Sequence, residues 1–268
     1  TSLSSNFLNQ DENNYLASIV FDKKMIGISI LDFSTGEFFG REDKISELHN
    51  IVSQYRINEI IVPDSQYNTN SDILDSQDAM ITKVENWFLD SKIASDYLKD
   101  HFDVHSLKGF GIDKCKNLIS SAAFALNYVN SSYNNKSQHI ISFKKIEHGD
   151  YMILDSYTIK NLEIFRSLSS DSNRGTLVSS IDRTSSPSGS RLLKKWLLQP
   201  LTDVKIINGR LDRIQEFYEN KIERQSVIDV IKECSDIERI LSKISANKSN
   251  PRDVLGLACS LNSIEHLY

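Results

Sequence analysis

Cysteine is scarce. Cys115, Cys234 and Cys259 are odd in number, far apart and without a CxxC pair, which suggests neither a disulfide framework nor a zinc site and fits a reducing, cytoplasmic setting. The six histidines include no HxxxH or HExxH arrangement, so no metal site is expected. No apolar run approaches the roughly 18 residues of a membrane span. The opening TSLSSNFLNQ is neither a signal peptide nor headed by an initiator Met, and a piece cut from a longer protein is the expectation. No GxxxxGK[ST] loop is present, which excludes the usual phosphate cradle of an ATPase. Gly109-Phe110-Gly111 is a lone GxG before a helix and reads as a turn.

What is there belongs to a water-soluble globular protein: 268 residues, 40% apolar and 25% charged, enough for two domains with their own cores. The net charge of −5 is unevenly spread. Lys plus Arg against Asp plus Glu is 11 against 19 over residues 1–134 and 20 against 17 over 135–268, or −8 and +3. Two domains with different partners follow. An acidic first half is a poor general surface for nucleic acid, because the phosphate backbone is what such a surface must neutralise.

The first half reads as α/β. Tyr15 to Phe21 and Met25 to Leu31 are short β-branched runs around Asp22-Lys23-Lys24, a hairpin, and Glu37 to Gly40 adds a third strand after the Ser34-Thr35-Gly36 turn. An amphipathic helix with Ile45, Leu48, Ile51 or Val52, and Tyr55 follows. Strands are expected over Glu59 to Val62 and Met80 to Val84, and helices over Ser91 to His101 and from Asp113 or Lys114 to Val129. The Asn- and Ser-rich NSSYNNKSQ, 130–138, is the best domain boundary, giving domains 1–134 and 135–268. Tyr151 to Leu154 reads as a brief strand. Beyond it the pattern is helical. Thr202 is the expected N-cap of a helix carrying Val204, Ile207, Leu211, Ile214 and Tyr218, and Val227, Ile228 and Ile231 mark a shorter one. Ser235 and Glu238 have capping-box spacing before Ile240, Leu241 and Ile244. Asn250-Pro251 opens a last helix with Val254, Leu257, Leu261 and Ile264, which runs out at Tyr268.

The densest local signals lie in Ser180 to Leu201, SIDRTSSPSGSRLLKKWLLQPL. Ser186 is an N-cap, Pro187 suits the first helical turn and Pro200 closes the helix. At about 100° per residue, Leu192, Leu193, Trp196 and Leu197 share one arc, and Arg191, Lys194 and Lys195 share the other. The expected reading is a core face with Trp196 buried and a basic face open to solvent, a phosphate-backbone or an interdomain contact.

This window resembles the core-domain signature of the MutS family of DNA mismatch-repair ATPases: an Asp-x-Thr, a Gly-x-Arg-Leu-Leu and a Trp-Leu-x-x-Pro-Leu at this spacing. Asp182, Thr184, Gly189, Arg191, Leu192, Leu193, Trp196, Leu197, Pro200 and Leu201 fit. Ser188 departs, where the family usually has Met. LDSYTIKNLEIF, GRLDRIQEF, DIERILSKI and NPRDVLGL look like further MutS blocks in order, and NNYLASIV with ILDFSTGEF resembles the MutS connector. The resemblance implies a ribonuclease-H-like connector domain over 1–134 and the first part of a helical core (lever) domain over 135–268. It also implies that the whole protein is a dimeric, ATP- and Mg-using clamp on mismatched duplex DNA that engages a MutL-like partner. The ATPase, the Phe-x-Glu wedge that reads mismatches and the DNA-gripping clamp would lie outside these residues. The chain is then a coupling unit with no catalytic, cofactor or metal site of its own.

Competing readings are a metal-dependent nuclease of ribonuclease-H type and an autonomous nucleic-acid-binding module. The nuclease would draw on Asp32 and Glu37, whose segment Asp32-Phe33-Ser34-Thr35-Gly36 also makes sense as a side-chain-stabilised turn. Asp155, Thr158, Asn161 and Glu163, and again Asp182 with Thr184, read as polar networks tying helix ends together.

Overall fold

The computed structural model describes residues 11–132, 137–147, 149–170 and 172–265. Among the described residues two compact units share the chain, the first holding 13–147 and 245–247 and the second 11–12, 149–244 and 248–265.

The first unit is a mixed sheet with helices. β1 (Leu16–Asp22), β2 (Met25–Asp32) and β3 (Glu37–Lys44) form an antiparallel meander. β4 (Glu59–Pro63) adds parallel to β1, β5 (Met80–Val84) parallel to β4, and β6 (Lys144–Lys145) parallel to β3, giving the order β5-β4-β1-β2-β3-β6. β1, β2 and β4 are nearly continuous β-branched and apolar runs because both their faces are covered; Leu16, Ile19, Ile28, Ile60 and Ile61 are fully buried. α1 (Leu48–Tyr55) and α2 (Asp64–Asp75) flank β4, and α3 (Ser91–Phe102) precedes α4 (Lys116–Ser132). Sequence reading leaves α2 out, since its DSQYNTNS start carries no apolar period.

The long α4 organises the layer. Its first turn meets β2 and β3, where the Glu42 carboxylate accepts from the amides of Asn117 and Leu118 at 3.1 and 3.3 Å, the placement that suits the positive end of a helix. One turn on, the Ser121 hydroxyl donates to the Ser18 carbonyl at 2.8 Å. Gly27 clears the space for this approach, since a Cβ there would fall within 2.5 Å of the Asn117 and Leu118 backbone, and a Cβ on Gly40 would press on the Leu118 side chain at 2.8 Å.

The unit boundary lies thirteen residues beyond the expected 134. Residues 133–136 lie outside the described residues, but Ile140, Phe143 and Ile146 are buried in the first unit. The ring of Phe143 stands edge-on to that of Phe38, 4.8 Å away. A polar Asn/Ser stretch therefore does not end the domain; the chain returns to the sheet edge before leaving it.

The second unit is helical: α5 (Ser156–Asn161), α6 (Leu177–Ile181), α7 (Pro187–Leu198), α8 (Val204–Glu219), α9 (Lys221–Glu233), α10 (Ile237–Ser245) and α11 (Pro251–Glu265). Leu154, Ile164, Phe165, Val178 and Leu198 form a small buried cluster. The strand expected over Tyr151 to Leu154 is reduced to a single bridge between Tyr151 and Leu201. Two caps differ from expectation. Asp203, not Thr202, caps α8 by accepting from the amides of Lys205 and Ile206, while the Thr202 hydroxyl bonds the Gly149 carbonyl. Asp236, not Ser235, accepts from the Arg239 amide at the start of α10. In both places a carboxylate one residue later wins, being the stronger acceptor at a helix N-terminus. Asn250 does cap α11, in a reciprocal exchange with Asp253 at 2.9 Å each way. The expected run-out of this helix at Tyr268 lies outside the described residues.

Candidate functional site

α7 is built as its sequence predicts. Ser186 accepts from the Gly189 amide at 3.2 Å and Pro187 occupies the first turn. Ahead of it, Asp182 turns back on the helix: one carboxylate oxygen accepts from the Thr184 amide at 3.0 Å and its hydroxyl at 2.7 Å, the other from the Ser190 hydroxyl at 2.7 Å. Burial pushes the Asp182 carboxyl up, and the Ser190 and Thr184 hydrogen bonds with the charge of Lys194 outweigh it, leaving the group below the ordinary Asp value. Gly189 permits the close turn, since a Cβ there would stand 3.2 to 3.3 Å from Ser186 and Thr184.

Arg191 leaves the basic face to which sequence reading assigns it. Its side chain is only 4% exposed and grips Asp236 through two bonds of 2.6 and 2.9 Å, with a third to Glu238 at 2.6 Å. Burial lowers the guanidinium's affinity for its proton, and the two carboxylates more than restore it, holding its pKa above the ordinary arginine value. A fork-to-fork pair of this kind is what arginine supplies and lysine does not. The result is a tie from α7 to the start of α10.

Lys194 donates to the Asp11 carbonyl at 2.6 Å. Lys195 is half-buried, and burial pushes its amine below the usual lysine value against the opposing charge of Glu238. The three cations thus divide among three environments.

Trp196 is also misplaced by the helical wheel. It is 38% exposed, with the Arg210 guanidinium 3.8 Å over its ring, and Leu192 is 48% exposed; the buried residue of this turn is Leu198. The inward stripe is rotated because the Arg191 ion pair, not the leucine pair, faces the interior. Beside Trp196 opens a groove of about 660 Å³ lined by Ile206, Ile214, Phe217, Tyr218 and the arginines 210, 213 and 224. On this chain, a urea melt of Trp196→Ala should show a loss of about 1–2 kcal/mol, the partial burial plus the cation–π contact. Leu198→Ala should lose more, about 2–5 kcal/mol. The opposite ranking would restore the wheel's assignment.

The remaining polar candidates serve local structure. Asp155 caps α5 at the Thr158 amide, and Glu163 takes the Ser167 hydroxyl and the Leu168 amide. Asp32 and Glu37 do face each other across the β2–β3 register, but protein donors engage both. Asp32 accepts from the Asn13 side chain, the Asn14 amide, and the amide and hydroxyl of Ser34, and Glu37 accepts from the Tyr15 hydroxyl at 2.6 Å. Among the described residues no three His, Cys, Asp or Glu side chains gather as a metal site would require, the cysteines are free thiols, and no helix is long and apolar enough to cross a membrane. The partners Ser190, Asp236 and Glu238 escape sequence reading, because hydrogen-bond partners 8 to 47 residues apart leave no periodic trace.

Two family models match the chain in succession: MutS domain II over residues 14–141 and MutS domain III over residues 157–268. Bacterial proteins named DNA mismatch repair protein MutS are similar along nearly all of it. That of Flavobacterium psychrophilum is 37% identical over 264 residues, 98% of this chain and 30% of its own length. Those of Bacteroides fragilis and Parabacteroides distasonis are 33% and 32% identical with the same coverage. The chain thus spans about 30% of the length of the curated relatives it matches.

Proposed function

Because the chain belongs to the MutS family, carrying its domains II and III, we propose that it is the connector and the first part of the core (lever) of a DNA mismatch-repair ATPase. In that protein it couples mismatch binding, ATPase state and contact with a MutL-like partner, within a cytoplasmic homodimer that uses ATP and Mg outside these residues. The observation that carries this reading is the succession of the two family models over a chain similar to MutS proteins from end to end.

The geometry supports a mechanical role. A coupling element must move as a body, and α7 is joined to its surroundings by directional, charge-assisted bonds: Asp182 to Thr184 and Ser190, Arg191 to Asp236 and Glu238. The strand order of the first unit, an antiparallel β1–β3 meander extended by parallel β4 and β5, supports a ribonuclease-H-like connector. The engagement of Asp32 and Glu37 by protein donors supports the turn reading of that segment over the nuclease reading.

Two measurements test the proposal. The full-length gene should restore a low mutation rate to a bacterial strain lacking mismatch repair. The chain alone should give no heat with ATP and magnesium, and fluorescence anisotropy should find less than about tenfold preference for a G·T over a G·C duplex, with only weak, steeply salt-dependent affinity. A micromolar ATP site, or a mismatch preference that survives high salt, overturns the domain roles proposed.

A further inference from the structure

After α4 the chain returns to the first unit as a strap, residues 137–146, that ends in β6 and passes into the second unit. Two imidazoles fasten it. His139, on the strap, meets the carbonyl of Phe33 in the β2–β3 turn through Nε2 at 2.7 Å. His101, at the end of α3, meets the carbonyl of Ile140 through Nε2 at 2.9 Å. A carbonyl only accepts, so each ring carries its proton on Nε2. For His139 this tautomer leaves Nδ1 as a lone pair, and that atom is buried with no hydrogen-bond partner.

We propose that His139, supported by His101, is a proton-sensitive fastener that holds the 137–146 strap on the first unit at neutral pH and releases it in acid.

The direction follows from the donors and acceptors around the ring. A second proton would sit on Nδ1, leaving a buried N–H of a charged ring without an acceptor, which disfavours the protonated form. The titratable groups that face His139 are Asp32 from the turn and His101 from α3. Asp32 is the acceptor an imidazolium would seek, yet its two oxygens already take four donors, from Asn13, Asn14 and Ser34. The second imidazole adds repulsion once charged. The ring has little room to turn away: it stands edge-on to Phe33 at 4.7 Å, and a Cβ on Gly36 would lie 3.2 Å from its Cδ2. Burial accordingly holds the His139 pKa below the ordinary histidine value, against the smaller opposing pull of the Phe33 bond and Asp32. A lowered folded-state pKa means that this stability is fully present above the ordinary value and is lost as pH falls through it and below.

Release is local because the strap pairs with the sheet over only two residues, in β6; its other anchors are the buried Ile140, Phe143 and Ile146, the Ser137 hydroxyl donating to the Asn130 side chain of α4 and the Ile146 amide donating to the Gly40 carbonyl at 2.9 Å. Such a segment opens at a lower free energy than α4 beneath it.

Hydrogen exchange on the whole chain, read by mass spectrometry and corrected for intrinsic rates, tests the proposal. From about pH 7.5 to about 5.5, protection of peptides over 137–146 should fall several-fold relative to α4, up to the roughly tenfold that one imidazole of ordinary unfolded pKa allows. In His139→Gln, whose neutral amide keeps a donor toward Phe33, that difference should shrink to within about twofold. Strap protection that keeps pace with α4 in the wild type, or a loss in H139Q equal to the wild type's, overturns the proposal. Should H139Q not fold, ring NMR on the wild type decides it. His139 must titrate below the ordinary histidine midpoint of about 6.5 and together with the strap amides; a midpoint at or above that value refutes the fastener.

Discussion

Gly27→Ala is expected to unfold the first unit or bring it to the edge of unfolding, with a loss above about 3 kcal/mol against the 5–15 kcal/mol that holds a typical domain. The magnitude rests on what the added methyl meets. A Cβ at Gly27 would lie 2.2 Å from the Asn117 carbonyl carbon, 2.3 Å from its oxygen and 2.5 Å from the Leu118 nitrogen. These are backbone atoms of the first turn of α4, so no rotamer change relieves the clash; the helix or strand β2 has to shift. The helix cannot retreat at its N-terminus without breaking the Glu42 bonds to the same two amides. It cannot tilt without lifting Leu118, Ala122 and Leu126, all fully buried, from the core. Controls separate this from a general dislike of alanine. Gly209 lies within α8 with nothing near its Cβ position, and Gly209→Ala should be neutral or stabilising by up to about 1 kcal/mol. Urea denaturation of the two variants beside the wild type is sufficient. A Gly27→Ala midpoint close to that of Gly209→Ala would mean that α4 does not approach β2 as described.

What could be read before the structure follows from the range of each signal. Alternation and β-branching place β1, β2 and β4 within a residue or two, because a strand covered on both faces leaves a continuous apolar run in its own sequence. Ser186, Pro187, Asn250 and Pro251 fix two helix starts for the same reason, their partners lying within three residues. Interactions that join distant segments leave no such record. Nothing near Gly27 announces that Asn117 will press on it, and nothing near Arg191 announces Asp236. An arginine in a basic run reads as solvated until its acceptors are known. The helical wheel of α7 failed on this point: once the ion pair claims the interior, the stripe turns, and Trp196 moves to the rim beside Arg210. α8 shows the same limit from the other side. Its apolar period is genuine and the helix forms, yet Ile206, Leu211, Ile214 and Tyr218 are all more than half exposed. Periodicity reports that a face is to be covered, not by what.

The second large effect is expected at Asp236. Its carboxylate is bidentate to a guanidinium that is 4% exposed, so Asp236→Ala removes the closest counter-charge from a buried cation, and Glu238, the other carboxylate on it, is itself 53% exposed. Breaking a buried pair by removing one partner costs about 3–5 kcal/mol, and the loss of the cap on the Arg239 amide adds to it. Glu238→Ala, at the solvent-facing end of the same guanidinium, should cost under about 1 kcal/mol. Because most of the penalty is the stranded charge, Arg191→Met combined with Asp236→Leu should recover most of the stability lost by Asp236→Ala, and a cycle completed by Arg191→Met and Asp236→Leu alone reads the coupling. Acid provides an independent axis. Burial raises the Asp236 carboxyl and Arg191 lowers it further, so the folded-state pKa lies below the ordinary Asp value. A depressed carboxylate contributes stability above its unfolded value and loses it as pH falls through the folded one, so wild-type stability should decline below about pH 4 more steeply than that of the double variant. If Asp236→Ala and Glu238→Ala cost the same, or if the double variant melts no later than Asp236→Ala, the Arg191 tie is not what joins α7 to α10.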